Sequence, residues 1–286
     1  MLVFLNGEIV PAEEAVVSVF DRGFLYGDGL FETFAVIDAI PLRWDAHWRR
    51  LTAGAAALRL KLPFDSEFLR DQAIELCWAN ELEEPTLRLT VSRGIGERGY
   101  SPRGADEPTV VMSVHLSPLH TERAAQVKLH TSSHRISADD PLAAHKTANK
   151  LLHVLARAEA DAAGADEALL LHSRGELAEA TSANLFWLEG NALHTPPLTA
   201  GAQPGITRAD VLAWSRTNQI TAHETSADLT RLRAANGVFL TSSACGVVEV
   251  VALDGQPLAT SPFTQRIRDA LLDLWRAEAE SHRMKS

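Results

Sequence analysis

The sequence predicts a mixed fold, α/β and α+β, arranged in two domains. Short segments in which apolar and polar residues alternate are interspersed with longer segments whose apolar residues recur at helical spacing. Residues 117–126 are polar, contain a proline and show no clear period, so we place the domain boundary there. We therefore expect a small α+β domain, 1–120, and a larger domain, 121–286. A chain of 286 residues that is 46% hydrophobic can bury one large core or two.

The first domain opens with a predicted hairpin, because the Asn6-Gly7 dipeptide separates two short apolar runs. Alternation predicts further strands at 30–37, 86–92 and 109–116. Apolar residues at helical spacing predict a helix over 45–60, and Asp65 is a candidate cap for a second helix that reaches residue 77. This part of the chain is therefore predicted to be an α+β unit.

The second domain alternates strands and helices. We predict strands at 127–132, 167–171, 184–188 and 238–240. We predict helices at 149–163, 207–214 and 263–279, the first of them ended by Gly164. No internal repeat is present, so the domain is not predicted to be a solenoid.

Composition excludes several classes of protein. There is no run of 18 apolar residues, and residues 1–10 lack a basic region, so neither a membrane span nor a secretory signal is expected. The two cysteines, Cys77 and Cys245, form no CxxC pair, which favours the reducing cytoplasm. The net charge of −10 argues against a nucleic-acid partner, and the histidines are scattered without an HExxH motif, so no metal is expected.

One lysine and one carboxylate suggest the chemistry. Lys146 lies in His-Lys-Thr-Ala-Asn, and Glu179 lies in Gly-Glu-Leu-Ala-Glu-Ala-Thr-Ser-Ala-Asn-Leu-Phe. A lysine amine can hold an aldehyde cofactor as a Schiff base, and an anion can keep a pyridine nitrogen protonated, so the pair points to pyridoxal phosphate (PLP).

The surroundings of both residues can be predicted as well. A lone lysine is normally a solvated surface charge, but Lys146 precedes a predicted helix whose dipole, with desolvation, would lower its pKa. Glu179 is expected in a polar turn between two strands, with Asn184 as an amide that stabilises the turn.

Two segments could hold a phosphate. Gly205-Ile206-Thr207 opens a predicted helix, whose free backbone N–H groups attract anions. Thr241-Ser242-Ser243 follows a predicted strand and offers hydroxyls and amides. Arg50 could be the charge partner, although a single arginine on a helix is usually solvated. Each signal is weak alone, because an enclosed phosphate needs several such donors together.

Several motifs recur in order along nearly the whole chain. They are Leu5-Asn6-Gly7, Phe20-Asp21-Arg22-Gly23, Tyr26-Gly27-Asp28-Gly29-Leu30-Phe31-Glu32 and Val247-Val248-Glu249-Val250. With these motifs the chain resembles the fold-type IV PLP enzymes, the class IV aminotransferases. That family includes branched-chain aminotransferases, D-amino-acid and (R)-amine transaminases, and 4-amino-4-deoxychorismate lyases. The resemblance implies a small α+β domain and a larger α/β barrel-like domain, with the site between them in a homodimer.

The resemblance also implies roles for single residues. Lys146 would be the Schiff-base lysine and proton shuttle, and Glu179 would pair with the pyridine nitrogen. The residues implied to hold the phosphate are Arg50, Ile206, Thr207, Ser242 and Ser243.

The reaction within the family depends on a second set of residues. The loop 92–100 resembles that of aminodeoxychorismate lyases, in which Arg98 would meet a substrate carboxylate and Tyr100 would add a hydroxyl. Without the family this loop is equally well a glycine-rich hairpin whose arginines face water. Tyr100 and Phe31 both depart from the carboxylate trap of D-amino-acid transaminases. We also expect Ala244, at the start of the turn 244–246, to contact the substrate.

Three functions follow as expectations. The first, slightly favoured because Thr241-Ser242-Ser243 resembles transaminases, is ping-pong transfer of an amino group from a D-amino acid or (R)-amine to an α-keto acid. The second is 4-amino-4-deoxychorismate lyase, which releases 4-aminobenzoate and pyruvate. The third is a PLP-binding protein without catalysis.

Overall fold

The computed structural model describes residues 1–82, 84–117, 126–137 and 140–284. The chain separates into two compact units. Unit 1 contains the described residues of 1–117, 145–150 and 275–286, and unit 2 contains those of 118–144 and 151–274. The predicted boundary at residue 120 lies outside the described residues. Segments 145–150 and 275–284 group with unit 1, which differs from the single division expected from the sequence.

Unit 1 is built on a six-stranded antiparallel sheet in the order β2-β1-β6-β5-β3-β4. Its elements are β1 (Leu2–Leu5), β2 (Glu8–Pro11), α1 (Arg22–Tyr26), β3 (Gly29–Ile37), β4 (Ile40–Pro41), α2 (Trp44–Leu58), α3 (Ser66–Ala79), β5 (Thr86–Ser92) and β6 (Thr109–His115).

The two faces of this sheet differ. Strand β3 pairs with β5 so that Phe31 is opposite Thr90 and Thr33 is opposite Arg88. Because successive residues of a strand point to opposite faces, these four side chains share one face. The other face carries the core, which the helices α2 and α3 complete; its buried members include Leu30, Phe34, Leu51, Leu69, Leu76, Leu87, Leu89 and Val91.

Unit 2 is built on a nine-stranded mixed sheet in the order β12-β11-β10-β13-β14-β7-β8-β9, with β15 on β14. The parallel pairs are β11–β12, β14–β7 and β7–β8. The strands are β7 (Gln126–Ile136), β8 (Glu167–His172), β9 (Leu177–Ala180), β10 (Asn184–Glu189), β11 (Ala192–Thr195), β12 (Ala222–Glu224), β13 (Gly237–Ser242), β14 (Gly246–Leu253) and β15 (Gln256–Pro257).

Helices cover this second sheet. They are α4 (Leu151–Ala162), α5 (Ile206–Thr217), α6 (Leu229–Arg233) and α7 (Pro262–Arg283), the last part of which groups with unit 1. Small side chains let α4 lie close to the sheet, since Ala156 and Ala160 are buried with Ala168 and Leu170 of β8. Within the described residues, none of the helices has both the length and the apolar character that crossing a bilayer requires.

The predicted elements are largely confirmed. The hairpin β1–β2 pairs around Asn6-Gly7, and the Asp65 carboxylate accepts a hydrogen bond of 2.9 Å from the backbone of Phe68 at the start of α3. Several elements were missed, including α1, β9, β11, β12 and β14. Most of these elements are short and have little alternation or helical spacing of apolar residues. The strands are stabilised by pairing with neighbouring strands, as β9 is by β8, and α1 begins at Asp21, whose carboxylate accepts a hydrogen bond from the Gly23 amide.

Candidate active site

Lys146 lies beside strand β3 in unit 1. The carbonyl of Lys146 accepts a hydrogen bond of 3.0 Å from the Phe31 amide, and the Ala148 amide donates one of 2.9 Å to the carbonyl of Gly29. These bonds and the bridge between Leu30 and Thr147 attach the segment 145–150 to the strand as a short extra strand. The lysine Nζ is 4.5 Å from the centre of the Phe31 ring. The backbone pairing thus fixes the point from which the Lys146 side chain extends.

The helix that follows Lys146 begins two residues later than predicted, at Leu151 instead of residue 149.

Arg88, which was not among the predicted site residues, contacts the same aromatic ring. Its guanidinium carbon is 3.9 Å from the centre of the Phe31 ring, and its Nε donates a hydrogen bond of 3.2 Å to the Thr90 hydroxyl. The side chain is half-buried, and burial lowers the pKa of its guanidinium. The sequence does show an arginine inside an apolar strand. Which face of the sheet its side chain occupies depends on the register of β5 with β3.

Arg50 and His47 of α2 both bind the buried carboxylate of Glu32. Arg50 donates two hydrogen bonds, from Nε at 2.9 Å and from Nη2 at 2.6 Å, and His47 Nδ1 is 2.7 Å from the same group. Burial by itself would raise the pKa of Glu32, but the hydrogen bonds from Arg50 and His47 outweigh it and bring the pKa to about 2. Burial lowers the pKa of His47, and because an ionised carboxylate can only accept, the Nδ1–H donates to Glu32.

Arg98 and Tyr100 lie on an exposed loop of unit 1. Arg22 fixes this loop, because its guanidinium donates to the carbonyls of Gly99 and Tyr100 at 2.9 and 3.3 Å. The Tyr100 side chain is 89% exposed and its ring lies 5.7 Å from that of Tyr26. Among the described residues, the cations that lie over the Phe31 ring are those of Arg88 and Lys146, not that of Arg98.

Glu179 belongs to unit 2, and its predicted setting is wrong. It was expected in a polar turn but lies buried in strand β9, paired with Leu170 of β8. Its carboxylate accepts a hydrogen bond of 2.8 Å from the Gln203 amide, and its other oxygen is 3.7 Å from Nε2 of His153. A buried carboxylate held in this way can serve as a fixed anion. His153 was not predicted, because a single histidine on an amphipathic helix carries no signal of its own.

Asn184 joins the two predicted phosphate segments. It begins strand β10 rather than stabilising a turn, and its Cα is paired with that of Thr241 at the end of β13. Its amide nitrogen donates a hydrogen bond of 2.9 Å to the Gln203 carbonyl. A Cβ on Gly205 would lie 1.9 Å from the Asn184 Oδ1, so only glycine fits there. The start of α5 and the end of β13 therefore meet around Asn184.

The polar groups around Asn184 fit a phosphate. Helix α5 starts at Ile206, and none of the side chains in the described ranges caps its first amides. The hydroxyls of Thr207 and Thr241 are buried and have no hydrogen-bond partner among the described residues. At the end of β13, the Ser242 hydroxyl accepts a hydrogen bond of 3.1 Å from the Cys245 amide, and Ser243 and Ala244 lie in the half-buried turn that follows. Uncapped helix amides and spare hydroxyls are what an anion of this kind needs.

The sequence of this chain matches the family model for amino-transferase class IV over residues 29–253. The chain belongs to the class IV aminotransferases. This confirms the family that the sequence motifs suggested, whose members are PLP-dependent transaminases and lyases.

Three relatives of this class IV aminotransferase carry three different activities. The chain is 33% identical to a putative branched-chain-amino-acid aminotransferase of Methanocaldococcus jannaschii, with 96% of each protein covered. It is 30% identical to a D-alanine aminotransferase of Bacillus licheniformis, over 95% of this chain and 96% of that one. It is 32% identical to an aminodeoxychorismate lyase of Vibrio harveyi, over 80% and 84%. Similarity to these relatives alone therefore does not decide between transamination and lyase chemistry.

A solved structure confirms the fold class. The branched-chain aminotransferase of the archaeon Thermoproteus uzoniensis, crystallised with norvaline, matches with a TM-score of 0.91 and 26% identity, over 98% of this chain and 96% of that one. The predicted fold-type IV architecture is thus shown for the class IV aminotransferase described here.

Proposed function

We propose that this enzyme is a PLP-dependent transaminase that moves an amino group from an amino acid or amine to an α-keto acid. The observation that carries the proposal is the placement of Lys146: its backbone segment pairs with β3, and its amine lies 4.5 Å from the centre of the Phe31 ring. An amine in a fixed position is the group that PLP chemistry requires of the protein. The relatives support an enzyme of this kind, because two of the three are aminotransferases.

The donor set supports PLP as the cofactor. We propose that Lys146 binds its aldehyde and that Glu179 faces its pyridine nitrogen. The phosphate would be held by Arg50, Ile206, Thr207, Ser242 and Ser243. Glu179 is suited to its role because the Gln203 amide holds the buried carboxylate in place. When bound, PLP withdraws electrons from the α-carbon of the substrate, which makes its proton easier to remove.

Lys146 would move the proton in both directions. Its amine takes the α-proton of the donor and later returns a proton to a different carbon. Hydrolysis by water then releases the donor as a keto acid, or as a ketone from a simple amine, and the amino group stays behind. A second keto acid then accepts the amino group through the reverse steps. Because the backbone of residues 145–150 pairs with β3, the point from which the Lys146 side chain reaches the substrate is fixed.

We propose D-amino acids or (R)-amines as donors. The D-alanine aminotransferase of Bacillus licheniformis supports this choice, whereas the branched-chain relative makes L-leucine the competing donor. Phe31, Arg98, Tyr100 and Ala244 remain the predicted substrate contacts. We also propose a cytoplasmic homodimer, which sedimentation of the purified protein would test.

Lyase chemistry is the second candidate. The observation in its favour is the 32% identity to the aminodeoxychorismate lyase of Vibrio harveyi. In that reaction the same lysine would move the proton, but pyruvate and 4-aminobenzoate would leave and no amino group would be transferred. A PLP-binding protein without catalysis is the least supported candidate, since it leaves the fixed amine unused.

Absorbance spectra of the purified holoenzyme test these candidates. D-Alanine, L-leucine and (R)-1-phenylethylamine are added separately, followed by a keto acid, and aminodeoxychorismate is assayed in parallel. We expect one of the amines to convert the cofactor to its pyridoxamine form and the keto acid to reverse the change. A cofactor spectrum that none of the amines alters, together with release of 4-aminobenzoate and pyruvate, would instead establish the lyase.

A further inference from the structure

The buried carboxylate of Glu179 has one oxygen that amide groups hold and one that faces an imidazole. Oε2 accepts a hydrogen bond of 2.8 Å from the Gln203 backbone amide and a long one of 3.5 Å from the Asn184 side chain. Oε1 is 3.7 Å from Nε2 of His153. In the described part of the chain, no lysine or arginine forms a salt bridge with Glu179, so the imidazole is what faces its second oxygen.

Helix α4 brings His153 to this carboxylate. His153 precedes Ala156 by three residues and Ala160 by seven, so the three side chains share one face of the helix. Ala156 and Ala160 are buried with Ala178 of β9, and Glu179 is the next residue of that strand. Because these alanines are small, the helix lies close to the strand and its first turn places the imidazole against the acid. The side chains of His153 and Glu179 are only 18% and 9% exposed.

The second ring nitrogen of His153 indicates where the neutral imidazole carries its proton. Nδ1 is buried and has no hydrogen-bond partner among the described residues. With the proton on Nδ1, that N–H would have no acceptor and the lone pair of Nε2 would face an anion. With the proton on Nε2, both costs disappear, because the N–H dipole is directed at Oε1 of Glu179.

We propose that His153 is a positioning residue whose Nε2–H keeps the Glu179 carboxylate ionised and in place as the anion for the pyridine nitrogen of PLP. This inference rests on the proposed binding of PLP, and it adds a residue that acts on the cofactor only through Glu179. A distance of 3.7 Å is longer than a hydrogen bond, so the effect is that of a dipole on a buried charge. Such an effect is stronger inside a protein than in water, because the local dielectric constant is low.

The charge of Glu179 needs this support because burial favours the neutral form of a carboxyl group. Each donor that faces the carboxylate works against burial. The Gln203 amide does so at Oε2, and the imidazole of His153 does so at Oε1. Without His153, Oε1 would face no donor among the described residues, and the anion that a protonated ring nitrogen requires would be less stable.

A second histidine of unit 2 provides a matched control. Nε2 of His134 is 3.6 Å from Oε1 of Glu159, nearly the same distance as in the first pair. Neither His134 nor Glu159 is among the predicted site residues. Replacing His134 therefore removes an imidazole from a carboxylate without touching Glu179.

The test compares His153→Leu, which has no donor, with His153→Gln, whose side-chain amide can bring an N–H to the place of Nε2. His134→Leu is the control. Fluorescence titration of each apoenzyme gives the dissociation constant of PLP, and the effect of His153→Leu is measured again in a Glu179→Gln background. Nitrogen-15 NMR of the apoenzyme at about pH 8, where an ordinary imidazole is neutral, reports the tautomer of His153. The signal is assigned by its loss in His153→Leu.

We expect the proton of His153 on Nε2, and we expect His153→Leu to raise the dissociation constant of PLP roughly 3- to 10-fold, as for loss of a neutral donor that faces a charge. His153→Gln should recover part of the affinity, and His134→Leu should change nothing. In the Glu179→Gln background the loss should nearly vanish, because no charge is left to stabilise. A proton on Nδ1, an equal loss in both backgrounds, or an equal loss in His134→Leu would overturn the proposal.

The role of His153 and the proposed transamination fail in different ways. If PLP binds but no donor converts it, transamination is wrong, and the two backgrounds still decide whether His153 acts through Glu179. If transamination is observed and His153→Leu weakens PLP binding equally in both backgrounds, only the assignment of His153 is lost.

Discussion

Arg50 donates two hydrogen bonds to Glu32, from Nε at 2.9 Å and from Nη2 at 2.6 Å. Glu32 is on the core face of β3 and is 1% exposed, so this carboxylate anchors the arginine from inside unit 1. His47 adds a third hydrogen bond to the same group. The direction of Arg50, a proposed phosphate ligand, is therefore set by a buried acid.

Replacing Glu32 should loosen the cofactor. Glu32→Gln leaves one neutral acceptor where Arg50 and His47 now share two charged oxygens, and charged hydrogen bonds contribute roughly 1.5–3 kcal/mol each. We expect the dissociation constant of PLP to rise by at least about tenfold. Dialysis followed by fluorescence titration of the apoenzyme measures it, with Glu14→Gln on the exposed surface as control. An unchanged dissociation constant would mean that Arg50 does not depend on Glu32.

The same pair predicts an acid-dependent part of the stability. The pKa of Glu32 falls from an ordinary value of 4.5 to about 2 in the folded protein. A lowered folded pKa adds stability that is present above the unfolded pKa and is lost as the pH falls from there towards the folded pKa. The difference in unfolding free energy between wild type and Glu32→Gln should shrink by on the order of 2–3 kcal/mol between pH 5 and pH 2. Denaturant titrations at several pH values measure it, and a difference that stays constant would contradict this account.

The sequence could predict the elements that depend on residues close to one another along the chain. Asn6-Gly7 determines a hairpin and Asp65 caps a helix through contacts a few residues away. Glu179 was misplaced because its strand is formed by pairing with Leu170, not by a pattern within Leu-Ala-Glu-Ala. Arg88 was missed because its face depends on the register of β5 against β3. The family resemblance supplied the role of Lys146, but only the structure shows that β3 holds its backbone.

The close approach of Gly205 to Asn184 gives a third prediction. A Cβ at residue 205 would lie 1.9 Å from the Asn184 Oδ1, so Gly205→Ala must push that side chain away from the Gln203 carbonyl. We expect a loss of about 1–3 kcal/mol in stability, typical of overpacking, and weaker PLP binding.

A second substitution tests the cause of that loss. Asn184→Ala removes the clashing oxygen, so the double variant should be less destabilised than the two single losses added together. Thermal unfolding of the four apoproteins measures this coupling. Additive losses would show that the contact between residues 184 and 205 is not what excludes alanine.

Glu179 is predicted to act through its charge. Glu179→Gln keeps the shape of the side chain and an oxygen for the Gln203 amide, but a neutral group cannot hold a proton on the pyridine nitrogen. The rate of the first half-reaction should fall by orders of magnitude while the cofactor content stays near that of the wild type. Stopped-flow spectra with the best donor measure the rate. If the rate is unchanged, another group must supply the negative charge.

Lys146→Ala should abolish turnover and leave the fold intact. The side chain supplies the amine that moves the proton, whereas the backbone bonds to Gly29 and Phe31 that hold the segment do not involve it. Circular dichroism should therefore be unchanged, and multiple-turnover assays should detect no keto acid. Lys61→Ala, which removes an exposed amine of the same unit, should retain wild-type activity. Added methylamine should restore a small part of the proton transfer in Lys146→Ala, because it supplies an amine in place of the missing side chain. Full activity without methylamine would remove Lys146 from the mechanism.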